Sequence, residues 1–345
     1  MGKKWIAIIL LCLFLLTGCS MDGLDPQSLM RPPRPTGERE EIHKVLERPA
    51  GCDFRLRYPR RGDYRSAIIM QDLTGTGKEE AIALYEVDDG EITIMFIGKR
   101  NNVWEELGAY TNPAAEVDMV CFGDVNSDGV KEIIVGWGSG LNNASNICIY
   151  SYSESTGKMS EISMNQSYNQ MVVMDFNEDG YEEISTACIS TAEQPAYARL
   201  SRINNGQIET MGTANLDIGV TRYISVASGK LNEKESGVLL DGIKSSGTTA
   251  AYVTELLYWD QENQTLQSPF YNPNTQSADY VKRYTSVVSK NVDGDGCLEI
   301  PIVTVLPGYT IPAPNNTYYL TNWYRYNCQE ETLTRVNSMI INSTD

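Results

Sequence analysis

The chain has 345 residues, with 28 Lys and Arg against 45 Asp and Glu, a formal charge of −17. That charge speaks against nucleic acid or anionic lipid as a partner of the folded body. The single histidine, His43, excludes a histidine-ligated zinc centre and leaves Ser-His-Asp or Cys-His hydrolysis with one peripheral base at most.

In chain order, Lys3 and Lys4 precede an apolar run from Trp5 to Leu16, followed by Thr17-Gly18-Cys19. Residues 1–18 read as a secretory signal, since the apolar stretch is far short of the roughly 20 residues that span a bilayer. Leu16-Thr17-Gly18-Cys19 resembles the lipobox of bacterial lipoproteins. The resemblance implies cleavage before Cys19, lipidation of its sulfur, and attachment to a membrane on the extracytoplasmic side of a bacterial envelope. An ordinary cleaved signal with an incidental cysteine is the alternative. Residues 19–40 are rich in proline and charge and read as an extended tether. Only Glu38 to Leu46 carries a helical pattern.

A nine-residue pattern then recurs five times: Asp72–Glu80, Asp124–Glu132, Asp175–Glu183, a degraded form starting at Lys230, and Asn291–Glu299. The starts lie 52, 51, 55 and 61 residues apart, which is the signature of a repeat architecture. In the second repeat, Val117–Phe122 enters the loop, Glu132–Trp137 leaves it, and Asn146–Tyr152 and Met159–Ser163 follow as further strands. The first repeat gives Ser66–Met70, Ala81–Tyr85, Ile92–Phe96 and Val103–Leu107 in the same order. Four strands per repeat predict an all-β fold, a β-propeller of about five and up to seven four-stranded blades. The propeller is expected to span residues 41–345, with repeats near 64–112, 113–165, 166–217, 218–272 and 279–345. Asp53–Tyr58 is the segment expected to pair with the last blade and close the ring.

Side-chain oxygens at loop positions one, three and five, Gly at six and a carboxylate at nine suit one hard cation, and calcium tolerates their irregular geometry better than magnesium. The candidate ligands are Asp124, Asn126, Asp128 and Glu132; Asp175, Asn177, Asp179 and Glu183; and Asn291, Asp293, Asp295 and Glu299. Loop one, with Thr74 and Thr76 at positions three and five, is a weak site. Loop four, with Lys230 and Lys234 at positions one and five, repels a cation. The same residues also admit plain turn chemistry, Asp and Asn bonding local backbone while Gly supplies positive φ.

These loops resemble the FG-GAP repeats of integrin α-subunit propellers and the related VCBS repeats of bacterial surface proteins, over about residues 64–340. The resemblance implies structural calcium held between the first two strands of a blade. Here position nine is Glu instead of Asp, and the Phe-Gly signature survives as Phe122-Gly123.

No Walker or Rossmann glycine pattern follows a strand, and no carboxylate pair stands out for glycoside chemistry. Aromatic residues concentrate in the last third, at Tyr258-Trp259, Tyr271, Tyr309, Tyr318-Tyr319 and Trp323–Tyr326. They read as ordinary strand and core residues or as a sugar- or protein-binding platform. Pro307–Pro314 is a candidate functional loop. The sequence therefore reads as a lipid-anchored cell-surface propeller, stiffened by calcium, serving as a non-catalytic binding or assembly module for an envelope protein or glycan. A surface polysaccharide-processing enzyme and a purely structural envelope component are the alternatives.

Overall fold

The computed structural model describes residues 37–50, 54–87, 90–138, 145–153, 155–246, 249–306 and 318–342. The leader, Cys19, the tether through residue 36 and Pro307–Pro314 lie outside the described residues. The chain divides into two units, Met1–Lys44 and Val45–Asp345. One α-helix, α1 (Glu38–Ala50), runs across that division. Three glutamates in its first turn complement the helix dipole, and Glu40 pairs with Lys44 one turn on at 2.9 Å.

The rest is all-β. Sheet one holds β1 (Arg55–Leu56), β2 (Ile68–Gln71), β3 (Glu80–Glu86), β4 (Ile92–Arg100) and β5 (Val103–Asn112). Sheet two holds β6 (Glu116–Gly123), β7 (Glu132–Gly138), β8 (Ser145–Ser153) and β9 (Lys158–Tyr168). Sheet three holds β10 (Gln170–Met174), β11 (Glu183–Cys188), β12 (Tyr197–Asn204) and β13 (Gln207–Asn215). Sheet four holds β14 (Val220–Lys230), β15 (Ser236–Ser246), β16 (Thr249–Asp260) and β17 (Thr265–Gln267). Sheet five holds β18 (Ile300–Val305), β19 (Tyr318–Asn327) and β20 (Thr332–Asn342). Named strands pair antiparallel, and from β2 onward the order within each sheet is the order of the chain.

Burial follows position in the sheet. The second strands β3, β7 and β11 are buried along their whole length, as a strand covered on both faces must be, while the outer β5, β9 and β13 alternate. Because successive side chains point to opposite faces, one strand feeds two cores. On β7, Ile133 and Val135 join the cluster shared with sheet one, and Ile134 joins the cluster shared with sheet three. On β15, Val238 and Leu240 pack toward sheet three and Leu239 toward sheet five. Each sheet thus depends on its chain neighbours for burial.

Two expectations are corrected. Arg55–Leu56 does not pair with the last repeat; it pairs with β3, Arg55 opposite Glu86 and Leu56 opposite Tyr85. Strand β2 covers β3 only from Glu80 to Ala83, so the end of β3 needs another partner, and Arg57 N–H supplies one to the Leu84 carbonyl at 2.8 Å. Arg55 and Arg57 also converge on the buried Glu86 carboxylate. The second correction is that sheet five has three strands. Only the bridge Lys290–Glu299 stands where a first strand would run.

The cause is a buried clasp on sheet four. Arg283 and Asp241, with side chains 0% exposed, meet at 2.6 Å. Ser289 N–H donates to Asp241 at 2.7 Å, Thr254 Oγ1 at 2.6 Å, and Arg283 Nε donates to the Val287 carbonyl at 2.7 Å. The segment before loop five therefore spends its polar groups on sheet four. Asp241→Ala strands the guanidinium and is expected to cost about 3–5 kcal/mol, read as a lower urea midpoint; a loss below about 1 kcal/mol would show that the clasp is not needed.

Candidate functional site

Four of the five loops share one register. The residue before each loop pairs with position nine: Gln71 with Glu80, Gly123 with Glu132, Met174 with Glu183, and Lys290 with Glu299. Positions four and six take positive φ, for example Ser127 (62°) and Gly129 (86°), which is why Gly recurs at six. One oxygen of each glutamate, Oε2, accepts the position-two N–H at 2.8–3.1 Å, from Leu73, Val125, Phe176 and Val292. Glutamate has the reach for this bond. The position-one carboxylates of Asp72, Asp124 and Asp175 accept the position-six N–H at 2.8–2.9 Å. Plain turn chemistry is therefore present in these loops, and the question is which oxygens remain.

The loops also lie side by side. Lys131 N–H donates to the Leu73 carbonyl, Glu182 N–H to Asp124, and Leu298 N–H to Lys230, while the Lys230 ammonium meets Glu178 of loop three.

The second glutamate oxygen, Oε1, distinguishes one loop from another. In loop one, Thr74 Oγ1 donates to it at 3.2 Å. In loop two, Asn126 Nδ2 and Ser151 Oγ donate to it at 2.7 and 3.1 Å, and the same Asn126 amide bonds Asp128 at 3.1 Å. Glu132 is nevertheless buried beside Asp128 and Asp124, and its carboxyl is pushed up to about 8, by burial first and then by those like charges. In loop three, Asp175 Oδ1 is buried with no hydrogen-bond partner, and burial pushes Glu183 up to about 7. The unmet oxygen of loop three and the crowded carboxylates of loop two are each what a bound cation relieves, so these residues fit calcium.

Loop five does not fit. Its expected ligands Asp293, Asp295 and Glu299 are brought together, their oxygens within 4.8 Å of one another. The guanidinium of Arg325, from β19, already pairs with all three. Asn291 Oδ1 is engaged by Gly294 N–H at 2.8 Å. Loop four is corrected as well. Lys230 is the last residue of β14 and pairs with Ser236, so only Leu231–Glu235 form the turn, and neither lysine stands at a ligand position.

A cleft of about 900 Å³ opens along the first strands of sheets two, three and four and the segment before β2. Arg61 donates to Asp118 from Nε (2.9 and 3.0 Å) and Nη2 (2.8 Å), and also to Gln170 and to the Asn169 carbonyl (2.9 Å). Tyr168 OH donates to the same Asp118 at 2.6 Å. Gly136 makes room for that hydroxyl, since a Cβ there would lie 1.7 Å from it. Burial works against the Arg61 charge, and Asp118 outweighs it, holding the guanidinium pKa above its ordinary value. Cys121, also on the wall, is pushed up to about 12 by burial, so its thiol is unreactive. Exposed Arg222 and Asp63 stand at the opening.

Sequence reasoning missed Arg61, Asp118 and Arg325. Strand pairing places Gly98, Ser151, Arg202, Trp259 and Arg325 at one point of the third strand, opposite position nine, but at unequal distances along the chain, so the sequence alone carried no signal for Arg325. Charge in that series marks a loop that can supply its own cation.

Four of the C-terminal aromatics take the strand-and-core reading. Tyr258, Trp259, Trp323 and Tyr326 are 1–6% exposed and belong to the interior, with Tyr258 and Tyr326 ring to ring at 6.0 Å. Tyr271, Tyr318 and Tyr319 are half-buried, and Tyr309 lies outside the described residues. Trp323→Ala should accordingly cost about 3–5 kcal/mol of stability by emptying a core site, measured by chemical denaturation. Unchanged stability with lost ligand binding would restore the platform.

No protein-family model matches the chain, and no curated protein matches it. Among solved structures it is similar to Bacillus licheniformis rhamnogalacturonan lyase PL11, at 14% identity and TM-score 0.36, covering 70% of this chain and 57% of that one. The exotype rhamnogalacturonan lyase YesX gives 13% and 0.38, covering 84% and 66%. Saccharomyces cerevisiae Sqt1 gives 10% and 0.38, covering 81% and 75%. The chain thus spans less than two thirds of either lyase, and at these TM-scores the likeness carries nothing over.

Proposed function

We propose that this protein is a lipid-anchored, extracytoplasmic binding module whose five sheets are the blades of a β-propeller, presenting the cleft along their first strands to an envelope protein or glycan. The observation that carries this reading is the cleft itself, built from four successive repeats and lined by the Arg61–Asp118–Tyr168 network. The pairing of Arg60 with Glu116 and of Arg61 with Asp118 suits recognition better than chemistry. Arg61 and Asp118 satisfy one another, and the wall thiol is unreactive. Exposed Arg222 and Asp63 would then select a polar ligand.

Calcium in this reading is structural. It would be held in loop two by Asp124, Asn126, Asp128 and Glu132, and in loop three by Asp175, Asn177, Asp179 and Glu183, neutralising acid at the junction of successive sheets. The lipid would sit on Cys19, ahead of the proline-rich tether.

Three measurements test the proposal. A screen of the secreted chain against envelope glycans and surface proteins should find a ligand whose binding Arg222→Glu abolishes while the melting temperature holds; turnover of a glycan would replace binding with catalysis. Cys19→Ala should release the protein from membranes, and unchanged retention would remove the anchor. Calcium should raise the melting temperature of metal-freed protein by mass action, by less in Asp128→Ala and Asp179→Ala, and undiminished in Thr76→Ala. Stability indifferent to calcium and chelator would leave loops two and three as hydrogen-bonded turns.

A further inference from the structure

We propose that Arg325 is a built-in replacement for the metal in loop five, so that this loop takes no cation while the arginine is in place. Every free oxygen of the loop is involved. Backbone N–H groups of Asp295, Cys297 and Val292 occupy Asp293 Oδ1, Asp295 Oδ1 and Glu299 Oε2 at 3.2, 2.9 and 2.8 Å. The three remaining oxygens, Asp293 Oδ2, Asp295 Oδ2 and Glu299 Oε1, all face the Arg325 guanidinium, at 3.3 Å, 2.9 Å and in direct contact. Those are the oxygens a metal would need. A guanidinium offers several donors in one plane and keeps its charge at any ordinary pH, so it satisfies three carboxylates at once.

An arginine at this strand position is not sufficient by itself. Arg202 stands at the equivalent place beside loop three, yet it turns away and donates to Glu209 Oε2 at 2.9 Å. Glu209 is directly opposite Arg202 on the neighbouring strand, whereas the residue opposite Arg325 is Thr334. The cross-strand partner therefore acts as a selector. An acid there captures the arginine and leaves the loop open; an uncharged residue releases the arginine into the loop.

The inference uses the calcium reading of loops two and three only for contrast, and the experiment separates the two. Bound calcium is counted by equilibrium dialysis of metal-freed, full-length chain in millimolar calcium. Asp295→Ala should leave the wild-type count unchanged. Arg325→Ser should add one ion, lost again in the Arg325→Ser/Asp295→Ala double variant. Thr334→Glu, a surface change that keeps the arginine and protects against a folding defect in Arg325→Ser, should also add one. Glu209→Thr should remove one. An ion lost from wild type on Asp295→Ala, or none gained in both Arg325→Ser and Thr334→Glu, overturns the proposal. A wild type that binds no calcium, with one ion gained in Arg325→Ser, supports it while removing the metal from loops two and three.

Discussion

The carboxylate at loop position nine is the constraint on which the repeats depend. It is buried in each loop that carries it, at or just before the start of the strand that leaves the loop, where an unpaired charge is costly. One oxygen is always satisfied by the position-two amide, which fixes the loop to the strand pair. The other must be satisfied by something the repeat supplies. A threonine hydroxyl suffices in loop one, an amide and a serine hydroxyl share the task in loop two, and a guanidinium completes it in loop five. Where the glutamate is absent, as at Ser236, the loop shortens to Leu231–Glu235.

The same logic divides the folded body by its source of positive charge. Toward sheets four and five, three buried carboxylates meet cations of the chain itself, Asp241 with Arg283, Asp217 with Lys244 and Glu299 with Arg325, while Glu255 accepts from Tyr223 OH and the Asp217 N–H. Around loops two and three, acid outnumbers such cations. Glu132 and Glu183 are both held above the ordinary carboxylate range there. A net charge of −17 is therefore not spread evenly in its consequences. The first strands of sheets two to four, which border the cleft, stand next to the loops whose electrostatics are incomplete.

Much of this was legible in the sequence, because short-range patterns set it. Apolar β-branched runs bounded by Asp, Asn and Gly located the strands of the first two repeats within a few residues, and the nine-residue spacing located four loops. What escaped depended on partners distant in the chain. Lys230 matched position one by spacing, but its register with Ser236 makes it the end of a strand. Arg55–Leu56 looked free to close the ring, yet the short β2 left it a nearer edge on β3. Trp323 read either as a strand and core residue or as part of a ligand platform, and only sheet packing, which buries it, decides between the two. Arg325 lies 26 residues beyond Glu299, and only the strand pairing brings them together.

We infer that a cation of the chain itself, facing the second oxygen of the position-nine glutamate, spares a loop its metal. Crystals grown in calcium, measured at long wavelength, test it most directly through the anomalous difference map. The account predicts peaks against Glu132 and Glu183, and none against Glu299, where the Arg325 guanidinium should fill the density. A peak in loop five with Arg325 displaced, or no peak in any loop, would contradict it.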